Sequence, residues 1–556
     1  MRRGIYIASV AVSAALSLAP SAMGAAKPGW LTRSVLGATI GGSDTTLVSA
    51  RVLPNGTTML LYNDLDSVSG KTRIRIAQVQ PNGRAVAPYF VSDTSGSASD
   101  PAITFDKTGN GAIVYSQKNV SNKGVIKLRR FSPKGVLNAV TTAVSSGLID
   151  ATQPSVGLDG YGVATVAWIE ASTPASLITK RLDQAGAEIP LGPVSPARAA
   201  TDYCRSDSTS CSHPLVFSKA TGASTIVWLE TLKDTLAPSI RTTQITQGDE
   251  VDLTPQKILT STYDSGLQAK MTAAGAVQLV WLSLSGGNHQ VVAARITTGG
   301  DAPASVPSLS NATTAVKSAP VLSVNASGAA VVTWVDGVGA TPSKVTYSRL
   351  TSSGAKVVGS GQQVVSGNFS GSVTAAGLLS NSGSVSLFWR NLTTEIRYTT
   401  ASSKDVYKPH GLYATLVVPT GLHDGTPVLA TGADGTVSAT WLYTAAGSQR
   451  RFITQVLRTS PKVSSVKFPA KLKSRQRNAL IKFTSTKGGS ALITIEGASR
   501  SVRFRKASTR AAVLSGSSTV RFNTKGLVKG IYRVTIVLVD AAGLSATKTT
   551  KLIVTH

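Results

Sequence analysis

The chain has 556 residues, of which 42% are hydrophobic and only 15% are charged, and its net charge is +29. This length requires more than one hydrophobic core, and therefore predicts at least two domains. Gly, Ser, Thr, Ala and Val dominate and long Leu/Glu/Lys-rich stretches are missing, which excludes a helical bundle and favours an all-β protein.

The N-terminus has the pattern of a secretory signal peptide, which we predict over residues 1–24. Arg2 and Arg3 form a basic start, residues 5–18 are apolar, and residues 22–24 are small enough for a cleavage site. The alternative is a membrane anchor, which the short apolar run and the small residues after it disfavour, and no later segment is apolar enough to cross a bilayer. We therefore expect an extracellular, secreted protein that is soluble or associated with the cell surface.

Eight repeated units occupy residues 25–458. In every unit a glycine precedes an aromatic anchor by six residues. The anchors are Tyr62, Tyr115, Trp168, Trp228, Trp281, Trp334, Trp389 and Trp441, and the glycines are Gly56, Gly109, Gly162, Gly222, Gly275, Gly328, Gly383 and Gly435. Glycine permits the tight turn that opens a strand, and the aromatic residue with its apolar neighbour two positions earlier shares one face of that strand.

Each unit, about 53 residues long, has room for four short strands, which is one blade of a β-propeller. A string of separate sandwich domains and a solenoid are alternatives that fit this repeat length less well. The eighth unit lacks a fourth strand, so we expect residues 30–36 to supply it and to close the ring. The repeat resembles that of secreted bacterial β-propeller proteins, a likeness that implies architecture and not function.

Acidic residues stand two positions after four of the anchors, and they form the candidate ligand-binding face of the propeller. They are Asp64, Glu170, Glu230 and Asp336. If the anchor strand is second in each blade, these acids lie near the loops between the second and third strands. There they would suit a cation, a basic group or sugar hydroxyls, and paired carboxylates would also suit glycoside hydrolysis. The alternative is that they are ordinary polar residues at strand ends.

The only two cysteines, Cys204 and Cys211, lie in the longest repeat unit. In an oxidising compartment this spacing predicts a disulfide that closes an inserted loop. Two free thiols are the alternative. A metal site is not expected, because only His213 lies nearby and the five histidines have no metal-ligand spacing.

From residue 459 onward the sequence becomes strongly basic. Residues 459–556 hold 19 Lys or Arg residues against Glu496 and Asp540, a net charge of +17. The sequence of residues 530–534, followed by that of residues 540–543, is similar to the ending of bacterial Ig-like domains. The resemblance implies a β-sandwich that acts as a spacer or attachment module.

The basic excess of this sandwich predicts a polyanion partner. The candidate polyanion-binding residues are Lys471, Lys473, Arg475, Arg477, Arg503, Arg505 and Lys506. Because Arg503 and Arg505 alternate with Val502 and Phe504, we expect a strand with its charges on the solvent face.

No catalytic residue, metal site or cofactor is predicted, since no nucleophile elbow or calcium loop is recognisable. We predict an exported, non-enzymatic binding or scaffold protein. Its propeller presents a face for carbohydrate or for another surface protein, and its basic domain attaches to an anionic cell-wall polymer or glycan. Nucleic acid is not an expected partner. The main alternative is an extracellular glycan-active hydrolase or lyase that uses the acidic face, and a purely structural surface protein is a third.

Overall fold

All regular structure in the described part of this computed structural model is β-strand. The structure describes residues 29–30, 34–40, 45–172, 175–191, 208–232, 238–250, 256–258, 263–285, 287–303, 306–310, 315–316, 318–338, 341–357, 362–366, 373–380, 383, 385–391, 395–401, 414–415, 422–432, 437–444, 450–458, 461–468, 472–473, 478–485, 489–499, 501–503, 506–513, 516–524, 527–540 and 544–555. The predicted signal peptide lies outside these ranges. Within them, no helix has the length and hydrophobicity of a membrane span.

Within the described ranges, thirty-three strands precede residue 459. They are β1 (Gly29–Trp30), β2 (Ser34–Ile40), β3 (Thr46–Val52), β4 (Thr58–Asp66), β5 (Lys71–Val79), β6 (Ala85–Phe90), β7 (Ala98–Phe105), β8 (Gly111–Lys118), β9 (Gly124–Phe131), β10 (Leu137–Ala143), β11 (Ala151–Leu158), β12 (Ala164–Glu170), β13 (Ser176–Leu182), β14 (Glu188–Ile189), β15 (Ser208–Ser218), β16 (Ser224–Leu232), β17 (Pro238–Ile245), β18 (Gln256–Lys257), β19 (Tyr263–Met271), β20 (Val277–Ser285), β21 (Asn288–Ile296), β22 (Ala315–Val316), β23 (Val321–Val324), β24 (Ala330–Val338), β25 (Thr341–Leu350), β26 (Gln362–Ser366), β27 (Thr374–Leu379), β28 (Val385–Asn391), β29 (Glu395–Ala401), β30 (Ala414–Thr415), β31 (Leu422–Thr431), β32 (Val437–Thr444) and β33 (Arg450–Arg458).

These strands form antiparallel sheets, most of them four-stranded, and in most sheets consecutive strands pair with each other. We number the sheets in chain order. The first contains β3–β6, the second β7–β10, the third β11–β14, the fourth β15–β18, the fifth β19–β21, the sixth β22–β26, the seventh β27–β30 and the eighth β31–β33 with β1 and β2. Every predicted anchor lies on the second main strand of its sheet and is at most 1% exposed. The spacing of glycine and aromatic residue thus located the core of each sheet correctly.

The predicted turn glycines have the backbone conformation that the sequence required. Seven of the eight, from Gly56 to Gly383, have φ between 80° and 104°; Gly435 lies outside the described residues. In this left-handed region a side chain is strained, and glycine is not. In the first of these turns, the amide of Gly56 donates to the carbonyl of Leu53 at 2.8 Å. The glycine therefore sets the short link between the first and second strands.

The N-terminal segment pairs with the last sheet, as the sequence predicted. Gly29 and Trp30 stand opposite Arg458 and Leu457, and β2 continues the pairing along β33. This segment covers the edge of β33, so that its backbone groups do not stay open to solvent.

The innermost strands contact one another in a closed circuit. These strands are β3, β7, β11, β15, β19, β23, β27 and β31. Each contacts the next, and β31 contacts β3. The circuit encloses a central space whose walls are these eight strands.

The C-terminal region consists of two sheets with a common core. Its strands are β34 (Val463–Lys467), β35 (Leu472–Lys473), β36 (Asn478–Ser485), β37 (Gly489–Gly497), β38 (Lys506–Val513), β39 (Gly516–Asn523), β40 (Gly530–Asp540) and β41 (Ser545–Thr555). One sheet has the order β34-β36-β39 and the other β35-β41-β40-β37-β38. Phe483 and Phe522 of the first sheet share a buried cluster with Ile493 and Ile536 of the second. Alternating burial along each strand produces this two-layer core.

The predicted strand through Val502 and Arg503 is wrong. Residues 501–503 form a turn, in which the amide of Val502 donates to the carbonyl of Ser499 at 3.0 Å, and the next strand begins at Lys506. The turn places Val502 in the core, 1% exposed, while Arg503 is exposed. The alternation of polar and apolar residues therefore comes from a turn here. In this turn the Val502 side chain reaches the core and Arg503 stays exposed.

Candidate functional site

Asp64 and Glu230 occupy equivalent positions in the first and fourth sheets, and each binds an arginine of the adjacent strand. The Asp64 carboxylate lies 3.0 Å from the Arg75 guanidinium and accepts a hydrogen bond from Thr45 at 3.1 Å. The Glu230 carboxylate lies 2.7 Å from Nε of Arg241. Both acids are 1% exposed. Burial raises the pKa of Asp64 above its usual value, although Arg75 opposes the shift.

The other two acids bind the indole of their own anchor. Trp168 Nε1 donates to Glu170 at 3.2 Å, and Trp334 Nε1 donates to Asp336 at 2.8 Å. Asp336 also accepts a hydrogen bond from the Thr346 hydroxyl at 2.7 Å. Burial raises the pKa of Asp336, while these two donors lower it. An acid two residues after the anchor therefore satisfies a polar group that the packing has buried.

The structure does not bring the four predicted ligand-binding acids together. Each lies in a different sheet, and the contacts described above for each acid stay within or beside its own sheet. None of the four is among the described residues that line the central space. Their role in ligand binding stays a prediction, and their contacts give each one a structural task.

The central space is a cavity of about 940 Å³, bounded by segments of all eight innermost strands. Most of its walls are small or apolar, as at Ala50, Val156 and Leu322. Among the described lining residues only Arg51 and Lys270 are charged, and both are cationic. A cavity of this size is typical of small-ligand sites.

Arg51 and Lys270 hold the same position in two different sheets. Each stands eleven residues before its anchor, Tyr62 or Trp281, and is the last but one residue of its strand. Their strands, β3 and β19, are four steps apart in either direction around the circuit of eight. The two cations therefore approach the cavity from opposite sides.

Arg51 perturbs Lys270 across the cavity. The positive charge of Arg51 is the largest cause that lowers the pKa of Lys270 from 10.5 to about 7, and burial adds to it. Burial also lowers the pKa of Arg51. Both side chains keep partial exposure, because the cavity admits water while protein surrounds them. Within the described residues, neither is paired with a carboxylate.

Arg51 and Lys270 are not among the site residues predicted from the sequence. The available signal was a charged residue at the same position in two inner strands that are otherwise apolar or uncharged near it. Its meaning depends on which strand faces the axis and on which sheets lie opposite, and neither is visible in a single repeat.

The exposed cations of the C-terminal region form its second candidate surface. Those in the described ranges are Lys462, Lys467, Lys482, Arg503, Lys506, Arg510, Arg521, Lys529, Arg533, Lys548 and Lys551. Of the seven predicted polyanion-binding residues, Arg503 and Lys506 are exposed, and Lys473 lies in β35. Lys471, Arg475, Arg477 and Arg505 lie outside the described residues.

The two acids of this region leave most of that charge uncompensated. Glu496 stands between Lys506, at 3.0 Å, and Arg533, at 2.9 Å. Hydrogen bonds from these cations lower the pKa of Glu496. Asp540 is 8% exposed and accepts the amide of Leu544 at 2.8 Å. Exposed cations therefore far outnumber the two acids in the described part of this region.

Cys211 is 5% exposed and is not a free thiol. Its predicted partner, Cys204, lies outside the described residues, so their pairing stays a prediction. No group of three or more His, Cys, Asp or Glu side chains that could hold a metal ion occurs in the described part of the chain.

No protein-family model and no curated protein matches this sequence. Among solved structures, a polysaccharide lyase of family PL25 (ulvan lyase) is 9% identical, covers 66% of this chain and 96% of its own, and has a TM-score of 0.40. The β-propeller domain of the trilobed protease from Pyrococcus furiosus is 10% identical, with coverage of 67% and 99% and a TM-score of 0.35. The endo-arabinase from Bacteroides thetaiotaomicron is 12% identical, with coverage of 47% and 96% and a TM-score of 0.29. At these values the likenesses do not say what this chain binds.

Proposed function

We propose that this protein is an exported, non-enzymatic binding protein whose C-terminal domain attaches to an anionic cell-surface polymer or glycan. The observation that carries the proposal is the charge pattern of residues 459–556. Nineteen cations face only two acids; one acid is buried and the other is already paired with two cations. Such an excess costs self-repulsion unless an anionic partner relieves it.

The same proposal assigns three regions. Residues 1–24 are the signal peptide, residues 25–458 an eight-bladed propeller, and residues 459–556 an Ig-like β-sandwich. The closed circuit of innermost strands and the pairing of β1 and β2 with β33 support the propeller. In the C-terminal region, the Tyr532 hydroxyl donates to the carbonyl of Val528 at 2.9 Å. A tyrosine that bonds back to the backbone before its strand is a feature of immunoglobulin-type sandwiches.

Retention of the full-length protein on poly-L-glutamate and on isolated bacterial cell walls, measured at increasing salt, tests the attachment. Three C-terminal cations, Lys482, Arg510 and Arg521, are changed together to Gln, and the matched control changes Arg84, Lys107 and Lys134 of the propeller to Gln. We expect the C-terminal variant to elute at clearly lower salt, because it has three fewer charges that attract the polymer. Salt weakens the remaining attraction, since exposed charges act only within about 8 Å at physiological ionic strength. Equal loss in the two variants, or retention that ignores salt, would show that the attachment surface is misassigned.

The second candidate function is a glycan-active lyase. The observation that favours it is the pKa of Lys270, about 7, a value suited to a general base at neutral pH. Arg51 across the cavity would neutralise a uronate carboxylate while the neutral amine of Lys270 removes the proton from the adjacent carbon. The glycosidic C–O bond on the next carbon then breaks, a C=C bond forms, and the leaving oxygen takes a proton from solvent. The predicted hydrolase reaction requires two carboxylates on either side of one bond, whereas the four acids bind partners within separate sheets. Release of unsaturated, ultraviolet-absorbing sugar ends from uronic acid polymers would establish the lyase and exclude the non-enzymatic proposal.

A further inference from the structure

We propose that the central cavity of the propeller is an anion-binding site in which Arg51 and Lys270 together hold one doubly charged oxyanion, a sulfate or phosphate group. This site is separate from the basic C-terminal surface and does not depend on its function. The group can be a free ion or a substituent of a glycan, since the charged atoms that the cavity recognises are the same.

The charges that line the cavity favour an anion. Two cations approach each other across a circuit of eight strands, and the described lining of the cavity contains no acid. The closest hydrogen bond of the Arg51 guanidinium among the described residues reaches the carbonyl of Ala50 at 3.4 Å, so most of its five donors remain available. Buried charges in proteins are normally paired. A single dianion between the two side chains would neutralise both.

Arg51 and Lys270 belong to one ring of residues around the cavity, to which each of the eight innermost strands contributes one residue. The residues eleven positions before the other six anchors lie at the same level, and all six line the cavity: Thr104, Gly157, Phe217, Ser323, Leu378 and Ala430. In circuit order, Thr104 follows Arg51 and Ser323 follows Lys270. On each of two opposite sides of the cavity, a cation is therefore followed by a residue with a hydroxyl group. Two uncharged residues without a hydroxyl separate one such pair from the next. Hydroxyl donors beside two cations are the groups that bind sulfate and phosphate oxygens.

Anion binding should change the protonation of Lys270. With the cavity free of anion, Arg51 keeps the pKa of Lys270 near 7, so part of the population is neutral at physiological pH. A bound dianion reverses the local field and restores the proton, so anion binding is coupled to proton uptake.

None of the other charged groups described on the strands packed around β19 lines the cavity. Asp264 on β19 itself pairs with His289 of β21 at 3.3 Å, at the other end of the strand. Arg241 of β17 pairs with Glu230 at 2.7 Å. His213 of β15 is exposed, and β20 and β23 contain no charged residue. Arg51 on the opposite strand stays charged at all relevant pH values.

Calorimetric titration of the full chain with sodium sulfate tests the site, because sulfate stays a dianion across the pH range used. For the unmodified protein we expect sulfate affinity to be constant below about pH 7 and to fall roughly tenfold per pH unit above it. Lys270→Met and Arg51→Gln should each weaken the cavity site roughly ten- to a hundredfold at about pH 6.5. Lys270→Arg should keep the binding and lose its pH dependence. Exposed Arg84→Gln and Lys107→Met remove one charge each and should change neither.

The C-terminal cations do not blur this result, since Lys and Arg at the surface remain charged from about pH 6 to 9. Their sulfate binding would be independent of pH and equal in all five variants. Sulfate affinity that is unchanged in Lys270→Met, or a pH dependence that persists in Lys270→Arg, would overturn the proposal. Parallel titrations with inorganic phosphate and with a sulfated disaccharide distinguish the sources. If the cavity residues matter only for the disaccharide, the ligand is a glycan substituent; if they matter equally for the free ions, the ligand is a small anion.

Discussion

Replacing Lys270 by Met should stabilise the anion-free protein. The side chains are similar in length, and the change removes a charge that Arg51 repels inside the cavity. The pKa of Lys270 falls from 10.5 to about 7, and one unit corresponds to about 1.36 kcal/mol. The shift therefore corresponds to a penalty on the order of 5 kcal/mol as an upper bound. Water in the cavity screens the pair, and we expect a gain of about 2 kcal/mol in the free energy of unfolding.

The gain should depend on pH in one direction. The folded-state pKa of Lys270 lies below the unfolded value, so between about pH 7 and 10.5 the unfolded chain binds more protons than the folded chain. The stability of the unmodified protein therefore rises through this window. Lys270→Met cannot titrate there, so its advantage is full at and below about pH 7 and disappears near pH 10.5.

Urea unfolding in sulfate- and phosphate-free buffer, followed by tryptophan fluorescence, measures the difference at about pH 6.5, 8.5 and 10. Lys107→Met, an exposed change, should stay within about 0.5 kcal/mol of the unmodified protein at every pH. A Lys270→Met variant that is less stable at about pH 6.5 would refute the reasoning, and so would an advantage that does not change with pH.

Three further predictions follow from the described contacts. Asp336→Ala should cost about 1–3 kcal/mol, because it leaves the buried indole of Trp334 without an acceptor, whereas Asp336→Asn, which keeps one acceptor, should cost less; equal losses in urea unfolding would contradict this. Deletion of residues 25–40 should lower the thermal unfolding temperature sharply, because it opens the edge of the last sheet, and an unchanged temperature would argue against closure by this segment. Thiol labelling of the unreduced protein should find neither Cys204 nor Cys211 reactive, and two reactive thiols would exclude the disulfide.

Local features of the fold and the pairing of the N-terminal segment with the last sheet could be predicted from the sequence, and side-chain interactions between different strands could not. The glycine before each anchor determines a turn, and the anchor determines a buried strand, so both were found within a single repeat. The partner of Asp64 could not be found in this way, because Arg75 reaches it only through the pairing of two strands. Arg51 acts on Lys270 from the opposite side of the cavity, and no periodicity of one strand contains that relation.

The pairing of β1 with β33 also determines when this chain can finish folding. Gly29 stands opposite Arg458, so the first strand of the domain must wait for the last one to be synthesised. The entropy of joining such distant ends grows only logarithmically with the length between them, but the search for the partner makes this contact a slow, late step. Until then, β3 lacks its contact with β31, and β1 and β2 have no strand to pair with. Any extension fused to residue 29 would therefore act on the rate of the final step of folding.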